Sequence, residues 1–75
     1  ITGLVGQILP NIYVFTVKLD NGQVQMLFLD EEETVIKTKN GIAKSIEEIK
    51  ENDLVSVYGR YEGEVFYPIQ VIIYE

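Results

Sequence analysis

Phe15-Thr16-Val17-Lys18-Leu19-Asp20-Asn21-Gly22-Gln23-Val24-Gln25-Met26-Leu27-Phe28-Leu29 is the stretch that decides how this chain folds. Apolar residues recur at every second position on both sides of Asn21-Gly22, which is the period of a strand. Asn-Gly is the strongest short hairpin signal, because a two-residue type I′ turn needs positive φ at both central positions. Such a turn pairs Leu19 with Val24, Val17 with Met26 and Phe15 with Phe28, all six on one face. The other face carries Lys18 opposite Gln25, Thr16 opposite Leu27 and Val14 opposite Leu29. Val14, Leu27 and Leu29 are therefore expected outside, as an apolar patch. A shift of one residue would lose this agreement, since it turns every side chain of a strand to the opposite face.

The rest of the chain extends this pattern. Residues 3–9 read as a first strand whose two glycines mark a bulge or bend, and Pro10-Asn11 is a turn signal. Asp30–Glu33 is an acidic turn. Residues 34–39 either extend the third strand or form a short one of their own, and Asn40-Gly41 is another turn. Ser45-Ile46-Glu47-Glu48 has the spacing of a capping box, so a helix of about two turns is expected there. It would place Ile46 and Ile49 on one face, and Asn52 in the left-handed position that ends it. Residues 54–60 and 64–74 form a second hairpin. A three-residue Tyr61-Glu62-Gly63 loop, with Gly63 in the left-handed bulge position, pairs Val57 with Tyr67 and Val55 with Ile69 inside. The inside set continues through Val71 and Ile73. Outside, the same register pairs Tyr58 with Phe66 and Arg60 with Glu64.

Composition bounds the function. At 75 residues the chain is one domain spanning 1–75. Without Cys or His it has no disulfide framework, no thiolate metal site and no imidazole base. No apolar run approaches the roughly 20 residues that span a bilayer, so membrane insertion is not expected, and no signal peptide is visible. The first residue is Ile rather than Met, so an excised or processed domain is expected. Net charge is −6, and a hydrophobic fraction of 47% is too high for a disordered chain.

Strand, strand, strand, short helix, strand, strand is the order of the OB-fold. The expected class is all-β: a five-stranded OB-like Greek-key barrel with one short helix between strands 3 and 4. Residues 3–22, with Gly3-Leu4-Val5, Leu9-Pro10-Asn11 and Phe15-x-Val17-x-Leu19-x-Asn21-Gly22, resemble the opening of the bacterial translation initiation factor one family of S1-like OB proteins. The spacing carries one extra residue between Asn11 and Phe15. That resemblance implies RNA binding and a cytoplasmic protein. Ser45-x-x-x-Ile49-x-x-x-Asp53-x-Val55-x-Val57-x-Gly59, after the Asn-Gly hairpin, is similar to an uncharacterised bacterial OB-like domain family. This second resemblance implies one domain of a larger bacterial protein of the cell envelope or secreted space, with no assigned chemistry.

No residue constellation points to an enzyme. Asp30–Glu33 lacks the ligand spacing of a calcium loop and reads as a solvated turn. Ser45 beside Lys44 reads as a cap rather than a nucleophile pair. No phosphate-binding glycine loop is present, and no metal or cofactor is expected. The outer aromatics are the candidate site: Tyr58, Arg60, Tyr61 and Phe66, with Val14, Leu27 and Leu29 as a second patch. Aromatics with Arg are the usual anchors of interfaces. The expected function is a non-catalytic interaction module for a protein or glycan partner or for neighbouring domains of the same chain. The alternatives are a structural spacer and an S1-like single-strand binder using Lys18, Lys37, Lys39 and Lys44. Charge works against nucleic acid, since the first 44 residues set four lysines against five carboxylates and the remainder is more acidic. On this register Phe15 and Phe28 also point inward, away from any base.

Overall fold

The computed structural model describes residues 1–74. Six strands form one sheet: β1 (Thr2–Leu9), β2 (Val14–Lys18), β3 (Val24–Phe28), β4 (Val35–Thr38), β5 (Leu54–Glu62) and β6 (Val65–Tyr74). Their order is β3-β2-β1-β5-β6-β4. Neighbours are antiparallel except β4 and β6, which are parallel. The sheet ends at β3 on one side and β4 on the other and does not close on itself.

Six strands stand where five are expected, because the acidic turn separates β3 from β4. The Asp30 carboxylate accepts the Glu32 and Glu33 amides at 2.8 and 3.0 Å, and Thr34 closes the loop with two hydrogen bonds to the Asp30 backbone. The Thr34 hydroxyl also donates to the Pro68 carbonyl, 2.9 Å away. Asp and Thr side chains that satisfy nearby backbone in this way compete with strand pairing.

The expected two-turn helix is a single 3-10 turn over Ile46–Glu48. The chain leaves it at once, because β1 captures the following residues. Asn52 N–H donates to the Val5 carbonyl at 2.7 Å, and Val5 N–H donates to the Asp53 carbonyl at 2.8 Å. Asn52 does take the left-handed conformation, at φ 73°. Ile46 and Ile49 are both buried in the core, as their spacing suggests.

The first hairpin corrects the expected register by one residue. Its loop is Asp20-Asn21-Gly22, with Gly22 alone at positive φ (87°) and Leu19 N–H donating to the Gln23 carbonyl at 2.8 Å. The Asn21 side chain accepts the Gln23 amide at 2.9 Å, which holds the third loop residue in place. Phe15 therefore faces Leu27, and Val17 faces Gln25. Leu27 is completely buried and Leu29 packs against the core, so neither belongs to an outer patch. Phe28 instead turns outward and is 62% exposed, with Val24 and Met26 on the same face. The core thus holds one ring at this level rather than Phe15 and Phe28 together. Val14 stands opposite Leu9 and Phe28 outside the main core cluster, yet it is buried. It is not free for a partner either.

The second hairpin is longer than expected. Its turn is Gly63-Glu64, with Gly63 at φ 65° in the first central position, where a type II′ turn takes glycine. Val57 pairs with Val71 and Val55 with Ile73, and all four are buried. A bulge follows Tyr58, because Ile69 has no partner between Gln70 and Pro68. Beyond it Arg60 pairs with Tyr67, and Tyr61 with Phe66. The expected Tyr58–Phe66 and Arg60–Glu64 pairs do not form. A Cβ on Gly59 would overlap the Tyr67 carbonyl oxygen and sit 2.9 Å from Phe66 Cζ, so the bulge closes over a residue without a side chain. The core gathers Val5, Phe15, Val17 and Leu27 against the four β5–β6 residues and the two isoleucines.

Two stability measurements check this arrangement. Leu27→Ala is expected to cost about 2–5 kcal/mol in urea unfolding, whereas Phe28→Ala should cost about 1 kcal/mol or less. The expected register reverses that ranking. Gly59→Ala is expected to lower the urea midpoint by an amount equivalent to about 1–3 kcal/mol with an unchanged m-value.

Candidate functional face

Strand alternation sorts the exposed residues of β4, β5 and β6. Tyr58 and Arg60 lie two apart on the outer face of β5. Tyr67 stands opposite Arg60, and Gln70 stands between Tyr58 and Val35. Tyr58 is 54% exposed and Tyr67 44%, with Val35 and Ile69 exposed beside them. Lys37, two residues from Val35, stands opposite Ile72 on the same face. The result is a band of two tyrosines and two aliphatic side chains around a guanidinium and an ammonium group.

Two of the four aromatic-patch residues named above belong to this band, and two do not. Tyr61 and Phe66 face the other side of the hairpin, where their rings meet at 4.9 Å in a tilted arrangement. Phe66 packs over Gly59 and onto the core, so its role is to hold the hairpin. Tyr67 takes its place in the outer band. Sequence reasoning missed Tyr67 because the loop was set at Tyr61–Gly63. The signal that identifies it is Gly63-Glu64 read as a two-residue II′ turn.

The four lysines of the nucleic-acid alternative are dispersed. Lys18 is on the outer face of β2 opposite Leu4 and Val24, while Lys37 is on β4 at the far end of the strand order. Lys39 lies in the turn after β4. Lys44 Nζ lies 3.5 Å from the Glu48 carboxylate.

Charge is sorted by element. Among the described residues, Glu62 is the only carboxylate on a strand, against Lys18, Lys37 and Arg60. The other described carboxylates lie in turns. The net charge of −6 therefore describes the rims rather than the faces of the sheet.

One hollow of about 270 Å³ lies over Leu29, Ile36 and Ile46, with Tyr13, Glu31, Lys44 and Glu47 at its rim. Its polar groups engage one another. Interaction of the Tyr13 hydroxyl with the nearby Glu31 carboxylate pushes the phenol up from its ordinary value. Ser45 N–H and the Ser45 hydroxyl both donate to Glu48 Oε1, at 3.0 and 3.3 Å. The Ser45 hydroxyl thus serves the turn rather than Lys44. Among the described residues no group of three metal-ligating side chains comes together. No described helix is long and apolar enough to cross a membrane.

Comparison with protein-family models, with curated proteins and with solved structures finds no match to this chain.

The bond from the Ser45 backbone, with Lys44 nearby, holds the Glu48 carboxyl below the ordinary glutamate value. A carboxyl with a lowered folded value stabilises its turn fully above the ordinary value, and that contribution is lost as pH falls through the lowered one. The Ser45 amide resonance is therefore expected to shift on acidification with a midpoint below the ordinary glutamate value. Glu48→Gln should remove that transition.

Proposed function

We propose that the chain is a non-catalytic, OB-like binding module. It contacts a protein or glycan partner through the outer face of β4, β5 and β6. The observation that carries this reading is the exposed band of Tyr58, Tyr67, Val35 and Ile69 around Arg60 and Lys37. Tyr and Arg are enriched at interface hot spots, because each offers a large contact surface with a directional polar group. Glu62, the next residue after Arg60 on this face of β5, is the one carboxylate at its border, and the two cations Arg60 and Lys37 suit an acidic group on the partner. The OB-like reading draws support from the strand pairings. If β3 and β4 are two halves of one interrupted strand, β1 beside β5 and β4 parallel to β6 follow the Greek-key order of that fold.

A second reading, single-strand nucleic-acid binding, gains one observation from the corrected hairpin. Phe28 is outward, on the same face as Met26 and Lys18, where a base could stack. It loses the lysine cluster it relied on.

The labelled domain, titrated with an acidic tyrosine-containing peptide, a uronic-acid oligosaccharide and a mixed single-stranded oligonucleotide, separates the readings. The expected result is amide shifts at Tyr58, Arg60, Tyr67 and Gln70 with the peptide or the oligosaccharide. At least a tenfold loss of affinity is expected in Tyr58→Ala and Arg60→Ala, with unchanged circular dichroism. Oligonucleotide shifts at Lys18 and Phe28 that fade steeply with salt would replace this reading with the second.

A further inference from the structure

The two ends of the sheet are treated differently. The outer edge of β4 is covered: Thr38 N–H donates to the Ile42 carbonyl, Lys44 N–H donates to the Ile36 carbonyl, and Lys37 bridges to Ala43. The outer edge of β3 has no pairing strand. Leu19 N–H bonds the Gln23 carbonyl and Leu29 N–H bonds the Tyr13 carbonyl, which fixes the alternation along the β2–β3 ladder. Residues 25 and 27 point their backbone groups at β2, and Val24, Met26 and Phe28 point theirs away from it. Edge strands are ordinarily blunted by a charge, a proline or a bulge. Val24–Phe28 has none of these: its sequence is Val-Gln-Met-Leu-Phe and its register is unbroken. β6 approaches β3 without pairing to it, and β6 carries no β4 partner over Val65–Ile69.

We infer that the free edge of β3 accepts an extended peptide strand from a partner protein, with apolar residues at alternate positions and cationic residues at its ends. Backbone pairing would engage Val24, Met26 and Phe28, and their side chains supply an exposed apolar row for every second residue of the incoming strand. The charge requirement comes from the borders of the strand. Asp20 lies beyond one end of β3, and Asp30, Glu31, Glu32 and Glu33 lie beyond the other. A second copy of this chain does not fit that pattern. Two-fold antiparallel pairing about Met26 brings the Asp20 border of one copy to the Asp30–Glu33 border of the other, and like charges that meet across paired strands repel.

The probe is the peptide Lys-Thr-Val-Thr-Val-Thr-Lys, with Glu-Thr-Val-Thr-Val-Thr-Glu as its charge-reversed counterpart, added to the labelled domain at low salt. With the first peptide, the Val24, Met26 and Phe28 amides should shift and exchange with solvent at least tenfold more slowly. The Gln25 and Leu27 amides, already bonded to β2, should keep their exchange rates. The Glu-ended peptide should bind at least tenfold more weakly. Met26→Pro removes an edge donor at a position where a strand tolerates proline, and Met26→Lys adds the missing edge charge at a half-exposed site. Either variant, folded by circular dichroism, should lose the peptide. Three results would overturn the inference: no shifts at millimolar peptide, equal affinity for both peptides, or protection of the same three amides on concentrating the domain alone, which would make a second copy the occupant.

Discussion

Strand parity is the constraint on which everything else in this molecule depends. A strand residue is committed to one face by its position in the alternation, and it changes face only where a bulge or a loop of different length intervenes. Three such devices decide this structure: the three-residue loop at Asp20–Gly22, the irregularity in β1 between Val5 and Ile8, and the bulge after Tyr58. The first turns Leu27 in and Phe28 out. The last carries Tyr67 to the outer face and Phe66 to the inner one. Parity also decides which backbone groups β3 leaves unpaired, so core, outer band and free edge follow from the same few residues.

Much of the fold was legible in the sequence. The alternation Val55, Val57, Val71, Ile73 identifies the inner face of the second hairpin without any knowledge of its turn, and these residues are buried. The isoleucine pair Ile46 and Ile49 reaches the core although the segment makes one 3-10 turn, because burial depends on their spacing more than on the helix type. Turn length was not legible. The first hairpin is expected to turn over two residues and the second over three, whereas the chain turns over Asp20–Gly22 and over Gly63-Glu64. The choice rests on long-range matters that no local pattern carries: how many rings fit the core opposite Phe15, and where β6 must meet β5. An error of one residue in the first loop was enough to exchange Leu27 and Phe28 between core and surface. The candidate site suffered most, since Val14, Leu27, Leu29, Tyr61 and Phe66 do not lie on the outer face while Tyr67 does.

The distribution of charge carries a related lesson. A sum over the sequence describes an acidic protein and argues against any anionic partner. The strands, which make the broad faces, hold half of the six cations and one described carboxylate. Turns carry the acids because they face water on nearly all sides, where a carboxylate keeps its hydration. The same segregation lets one small domain offer a cationic aromatic face and acidic borders around its free edge. These are two surfaces with opposite demands on whatever touches them.

The position of β1 has a consequence for the birth of the molecule. It sits in the middle of the sheet, bonded on one side to β2 and on the other to β5, with Thr2 meeting Ser56 across 54 residues of chain. On a ribosome the first strand emerges long before its second neighbour exists. The β1–β2–β3 meander can assemble from local turns, but its inner face stays uncovered until β5 and β6 join it. Contacts so distant in sequence are slow to form, because chain entropy is lost before they reward it. The meander alone therefore leaves Val5, Phe15, Val17 and Leu27 in water, and β5 and β6 act as the closing half of a shell rather than as additions to a finished one.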